Sequence, residues 1–178
     1  MLRVGVGGRS YSRHVVEPEV VVALAEELFA QHLPGRGWTF GFDGAKRRAG
    51  ACDWARRRIT VSRYLPKVSD EAQVRQVLLH EIAHAIAGHR AAHGPKWRTV
   101  AKRIGYTGER TLQGSIADDE ATWIGTCPRG HVHYRFRRPT AQLSCAVCAP
   151  GFSKRNLIAW RHRSTIGSVP LPLDDALF

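Results

Sequence analysis

The chain has 178 residues, which suits one moderate domain with a small appendage and a core large enough to fold without disulfide staples. Its 27 lysines and arginines stand against 15 acidic residues, a formal charge of +12, and an excess of that size points to a polyanionic partner, either nucleic acid or an anionic membrane surface. No apolar run approaches about 18 residues, and Met1 to Val16 is broken by Arg3, Gly5, Gly7, Gly8, Arg9 and Arg13, so neither a spanning helix nor a signal segment is expected. Three of the four cysteines fall with a histidine in metal-like spacing and Cys52 stands alone, which favours a reducing compartment over disulfides. A cytoplasmic protein, nucleoid-associated in a bacterium, is the expectation.

Residues 1–16 are Gly- and Arg-rich without periodicity and read as a basic flexible arm. From Pro18 the apolar positions Val21, Leu24, Ala25 and Leu28 recur at helical spacing until Pro34-Gly35 ends the pattern. Trp38, Phe40 and Phe42 then alternate, and Ile59 and Val61 alternate again after the turn residues Asp43-Gly44, which predicts two or three short strands. Cys52 among them is read as a plain buried or half-buried thiol. A long helix is predicted from about Asp70 to Ala87, with Ser69 or Asp70 capping its first amides and Gly88 ending it. A shorter one follows through Trp97, Val100, Ala101 and Ile104 up to Gly105. Tyr106 to Thr126 has few apolar residues and reads as a linker, which sets boundaries of 17–115 for the main core and 116–165 for a second domain. Residues 166–178 form a short acidic and apolar tail.

The long helix carries Leu78-Leu79-His80-Glu81-Ile82-Ala83-His84-Ala85. Residues four apart sit on one side of an α-helix, so the imidazoles of His80 and His84 can close on one cation. Glu81, next to the first, can reach a water without displacing it, the H-E-x-x-H arrangement of zinc hydrolases. Val77, Leu78, Ile82, Ala85 and Ile86 form an apolar backing, with the polar residues expected on the other side. A catalytic zinc needs a third protein ligand and an open position. The metzincin spacing is excluded, because Ala87 and Arg90 stand where it needs Gly and His. Among the rest, His93 is best placed, on a loop that Gly94 lets turn back, with His89, Glu109 and Glu120 as alternatives. Tyr64, Tyr106 or Arg90 could stabilise an oxyanion, and none stands out.

Further on, Cys127-Pro128-Arg129-Gly130-His131 and Cys145-Ala146-Val147-Cys148 offer two ligand pairs for a closed tetrahedral zinc, the plan of a zinc ribbon. Gly130 stands where a second cysteine is usual, which leaves His131 or His133 as the fourth ligand; a Cys145–Cys148 redox pair is the rival reading. From Cys127 to Arg163 basic residues alternate with aromatics and no acidic residue occurs. Arg135, Arg137, Arg138, Lys154, Arg155, Arg161 and Arg163 are the candidate phosphate contacts, and Tyr134, Phe136 or Trp160 could stack on unpaired bases, against the alternative that they pack the ribbon. The tail, Leu171 to Phe178, loosely resembles peptides that bind bacterial sliding clamps; folding back on its own domain is the competing expectation.

His80-Glu81-Ile82-Ala83-His84, the later His93-Gly94-Pro95-Lys96-Trp97 with its helix closing at Ile104-Gly105, and the strand and loop Arg58 to Leu65 together resemble the SprT-like (Spartan) metalloproteases. The element order follows that family over roughly residues 18–163. The resemblance implies an α+β fold with a zincin-like core of helices and a small sheet, followed by a small β zinc ribbon. It also implies His80, His84 and His93 as ligands of a catalytic zinc and Glu81 as the catalytic residue; the second, structural zinc on Cys127, His131, Cys145 and Cys148 is read from their spacing. The implied substrates are proteins bound or crosslinked to DNA, and the implied activity is endopeptidase. Two further readings remain: a zinc-containing nucleic-acid-binding module with an idle protease site, and a general metallopeptidase without DNA dependence.

Overall fold

The computed structural model describes residues 15–108 and 116–166 as a mixed α+β chain that divides into two compact units between Ile116 and Ala117. In the first unit a helix, α1 (Pro18–His32), precedes three strands, β1 (Thr39–Asp43), β2 (Gly50–Asp53) and β3 (Arg58–Ser62). Two more helices follow, α2 (Glu71–Ala87) and α3 (Pro95–Arg103). The strands form one sheet in the order β1-β3-β2, with β1 parallel to β3 and β2 antiparallel to it, so β2 is an edge.

The inward face of β3 supplies Ile59 and Val61, and α1 supplies Val21, Leu24, Ala25 and Leu28. Both sets pack with Val74, Val77, Leu78, Ile82 and Ala85 of α2. On its far side α2 buries Ala83 and Ala87 against Trp97, Val100 and Ala101 of α3. The helix is thus enclosed by the sheet and α1 on one side and by α3 on the other, instead of carrying one apolar and one polar face. Fully burying each branched residue contributes about 1.5–3 kcal/mol, so this helix is strongly held by its packing. Its start is closed by a capping box: Asp70 Oδ1 accepts from the Gln73 amide at 2.8 Å while the Asp70 amide donates to Gln73 Oε1 at 3.0 Å. Ser69, the other capping candidate, is buried and does not cap.

In the second unit β4 (Trp123–Thr126) is the central strand of a sheet ordered β5-β4-β6, flanked antiparallel by β5 (Val132–Arg135) and β6 (Ala159–His162). The stretch that reads in sequence as a linker therefore holds real structure. Ile116 joins the first core, Ala117 and Ala121 are buried, and β4 organises the second sheet. The strand leaves little mark in the sequence because it is four residues long and contains Gly125. Gly125 has a packing reason, since an added Cβ would collide with Ile158 Cγ2 and stand 2.7 Å from Trp160 Cε3. Among the described residues no helix is long and apolar enough to cross a membrane. The arm residues Arg3, Arg9 and Arg13, Glu109, and the tail from Gly167 lie outside the described residues.

Candidate metal centres

One helical turn separates His80 from His84 on α2. The chain leaves that helix through Gly88, whose φ of +103° favours glycine, and turns again through Ala92 and the Gly94 amide, which donates to the Ala91 carbonyl at 2.9 Å. These turns bring His93 back over the helix, where Arg98 Nη1 donates to its carbonyl at 2.8 Å. The three Nε2 atoms form a nearly equilateral triangle: 3.3 Å from His80 to His84, 3.1 Å from His84 to His93 and 3.1 Å from His93 to His80. The centre of such a triangle is about 1.8 Å from each nitrogen, slightly less than a zinc–nitrogen bond of about 2.0–2.1 Å, so one cation fits just off the plane of the three. Burial, with the neighbouring His84 and His93 adding to it, pushes the His80 pKa down to about 4, and burial lowers that of His84. Both rings therefore favour the neutral form that offers a lone pair.

Trp97 floors the cluster. Its ring centroid lies 4.8 Å from those of His80 and His93 and 5.3 Å from that of His84, and Tyr106 stands 5.3 Å from His80 and 5.6 Å from Trp97. Sequence reasoning takes Trp97 as a core residue only; the available signal is a large aromatic one helical turn after a candidate ligand. His89 is not in the cluster; it lines an open cleft of about 660 Å³ with Cys52, Asp53 and Arg48. Glu120 lies in the second unit and joins neither group of candidate ligands.

Glu81 is 8% exposed and faces the β2 edge at Gly50. Burial raises its carboxyl pKa to about 7, with Arg48 working against the rise and Asp43 adding to it. Asp43 is held in turn by Thr60 Oγ1 at 2.6 Å, Arg48 Nη1 at 2.8 Å and the Ala45 amide at 2.8 Å; these bonds outweigh its desolvation and lower its pKa. Cys52 is a half-buried thiol, pushed up to about 12 by burial and the nearby carboxylates of Glu81 and Asp53.

The second cluster sits on two tight turns. After β4, Gly130 at φ +81° lets its amide donate to the Cys127 carbonyl at 2.9 Å, and the Cys127 amide donates to the His131 carbonyl at 3.1 Å. The Cys148 and Ala149 amides both donate to the Cys145 carbonyl at 3.2 Å. Cys127 Sγ lies 3.8 Å from Cys148 Sγ, and His131 Nδ1 lies 3.5, 3.6 and 3.2 Å from the sulfurs of Cys127, Cys145 and Cys148. A tetrahedron built on zinc–sulfur bonds of about 2.3 Å and a zinc–nitrogen bond of about 2.0–2.1 Å has edges of about 3.8 and 3.5 Å, so these four residues fit a zinc ion. The cysteines are free, so no Cys145–Cys148 disulfide is formed. His131 supplies the fourth ligand atom; His133 points elsewhere, its Nε2 buried without a partner.

The seven basic residues singled out for phosphate contact are all exposed, but they do not share one face. Register places Tyr134 and Arg161 on either side of Ile124, while Arg135 and His162 flank Trp123 on the opposite face, where Arg138 stacks at 5.8 Å from the indole centroid. Arg163 is tied down, donating from Nε to the Ala121 carbonyl and from Nη2 to the Asp118 carbonyl, both at 2.6 Å. Trp160 lies over Gly125 as packing, Phe136 is half-buried, and Tyr134 and Phe152 are the exposed aromatics. Of β5, only His133 is even half-buried, so neither face of that strand is core.

A helix and a return loop that aim three imidazole nitrogens at one point, on a small α+β frame, define a candidate metal centre. The SprT-like family model matches residues 19–117, more than half of the chain, and the chain belongs to the SprT-like family. No curated protein matches it in sequence. Among solved structures it is similar to the metallopeptidase zymogen jannalysin of Methanocaldococcus jannaschii, at 15% identity and a TM-score of 0.41, over 47% of this chain and 79% of that one.

Proposed function

We propose that the chain is a zinc-dependent endopeptidase that cuts proteins bound or crosslinked to DNA. The observation that supports this most directly is the convergence of His80, His84 and His93 Nε2 within 3.3 Å of one another, with the buried Glu81 next in sequence to the first of them. Membership of the SprT-like family supports the same reading.

His80, His84 and His93 would hold the metal, which when bound polarises a peptide carbonyl and makes a water acidic near neutral pH. The chain's own residues do the rest. Glu81 accepts on its carboxylate the proton that the attacking water sheds as its oxygen bonds to the carbonyl carbon. It then delivers that proton to the amide nitrogen as the C–N bond breaks, which leaves a carboxylic acid and a free amine. Desolvation around Glu81 suits a group that must both take and give a proton near pH 7. Trp97 and Tyr106 pack the histidine rings into fixed orientations, which keeps the three lone pairs convergent.

The second unit would be a zinc ribbon on Cys127, His131, Cys145 and Cys148. Its exposed Arg135, Arg137, Arg138, Lys154, Arg155 and Arg161 would engage phosphates, with Tyr134 and Phe152 available for unpaired bases. Arg163 serves the fold of the unit instead.

The test is to incubate the zinc-loaded chain with a basic DNA-binding protein, with and without single-stranded DNA, beside Glu81→Gln and a chelated control. Cleavage that needs DNA, zinc and Glu81 is the expected result. DNA-independent cleavage would reduce the reading to a general metallopeptidase, and no cleavage under any condition would leave a nucleic-acid-binding module.

A further inference from the structure

Gly50 opens the edge strand β2 and lies over α2 at the level of Glu81. A Cβ added to it would stand 2.9 Å from Glu81 Cγ, 3.0 Å from Glu81 Oε1 and 3.0 Å from Val77 Cγ1. Contacts that short do not persist, so something has to give way. The strand is paired with β3 from Gly50↔Val61 to Asp53↔Arg58, and the Ser62 amide extends the ladder by donating to the Ala49 carbonyl at 2.8 Å. Below it, α2 is packed on both sides by buried residues. Val77 is β-branched on a helix and has one favoured rotamer. The Glu81 side chain is the part that can rotate.

We propose that Gly50 is a positioning residue: the absence of a side chain at this one point of β2 leaves the notch in which the Glu81 carboxylate is seated. This rests on Glu81 acting as the proton-transferring group. Gly50 does not occupy the left-handed backbone region that would require glycine for conformational reasons, so its small size, not its flexibility, is what the site uses. Glycine brings no side-chain packing to a strand, and a close approach by another group is one physical reason for it to stand at the start of this one. Gly125 of the second sheet is a parallel case, where the group in the space is the Trp160 ring.

Gly50→Ala in the zinc-loaded full chain is the test. Relieving these contacts moves the carboxylate by about half an ångström, and kcat is expected to fall on the order of 10-fold while KM changes little and both zinc ions are retained. Because Gly50 acts through Glu81, Gly50→Ala combined with Glu81→Gln should be no slower than Glu81→Gln alone. The carbon-13 resonance of the Glu81 carboxyl, assigned by its loss in Glu81→Gln, should move in Gly50→Ala. Should the alanine variant fold poorly, Gly50→Ala with Val77→Ala removes the aliphatic clash and leaves the one with Glu81.

An unchanged kcat, a double variant that loses activity additively, or an unmoved resonance each overturns the proposal. A native chain that cleaves nothing defeats the functional reading instead, and the resonance comparison still decides whether Gly50 seats Glu81.

Discussion

The two candidate metal centres are built in opposite ways. The histidine cluster takes two ligand atoms from a helix buried on both sides and a third from the loop that follows, so its geometry is set by a core that exists without any ion. The Cys127, His131, Cys145 and Cys148 cluster takes all four from turns around a small sheet whose strands are four residues each. The expectation is that the fold holds the first site, whereas a bound ion would hold the fold of the second. Four ligands also close the tetrahedron, whereas three leave a direction for water and substrate.

That contrast predicts unequal responses to metal removal. A structural zinc contributes roughly 10–16 kcal/mol to a small domain. Cys145→Ser, or strong chelation, should therefore abolish the fold of the second unit and lower the metal content from two ions to one in the variant. His84→Ala should also lose one ion, but the first unit keeps Leu28, Ile59, Leu65, Leu78 and Ile82 fully buried and should still melt cooperatively. Metal analysis beside separate melting curves for the two variants checks this. Equal destabilisation by both would erase the distinction, and a single ion in the native chain would remove one of the two sites.

Next in size is the chemistry of the first site. Glu81→Gln keeps the shape of the side chain and every candidate ligand, and should lower kcat by about 10²–10⁴-fold, the range for removing a general base. Zinc content should stay at the native value. Loss of zinc in this variant would mean that Glu81 helps hold the metal.

The second site is expected to be a surface for polyanions more than a source of chemistry. Replacing Arg135, Arg137 and Arg138 together by alanine should reduce the slope of log affinity against log salt by about 2–3, at roughly 0.7–0.9 for each phosphate no longer neutralised. An unchanged slope would shift attention to the first unit, where Arg56, Arg57 and Arg58 are all exposed at the turn between β2 and β3.

Much of both sites could be read from spacing, for one reason. Ligands four apart on a helix, or paired in a tight turn, are fixed by local geometry, and local geometry is what a sequence displays. His80 with His84, and Cys145 with Cys148, are of this kind. The joining of His93 to the first pair depends on turns at Gly88, Ala92 and Gly94, of which only the glycines leave a trace in the sequence. Relations across the sheet leave none. That Gly50 faces Glu81 follows from the pairing of β2 with β3 and from the packing of α2 beneath them. The misreading of β4 as linker has the same origin, since a four-residue strand with one glycine has too little periodicity to be recognised and its partners lie elsewhere in the chain. The even spread of burial around α2 is hidden too, because Leu79 and Ala83 join the buried set only once α3 and the sheet lie on opposite sides.

The smallest effect expected is at the start of α2, and it separates the stability of the site's scaffold from its chemistry. Asp70 accepts from the Gln73 amide and Gln73 accepts in return from the Asp70 amide, so Asp70→Ala leaves the Gln73 amide to water while the return bond can persist. Loss of such a cap costs about 1 kcal/mol, which in a unit of this size lowers Tm by roughly 4–8 °C. The cap lies nearly three turns before His80, and the intervening helix is buried through Val74, Val77 and Leu78. Fraying at the first turn should therefore stop short of the ligands, leaving zinc content and kcat at native values below the transition. If Asp70→Ala lowers kcat at temperatures where the chain is fully folded, the order of the metal site depends on the whole helix, and the histidine triangle is less securely fixed by its core than the comparison of the two centres holds.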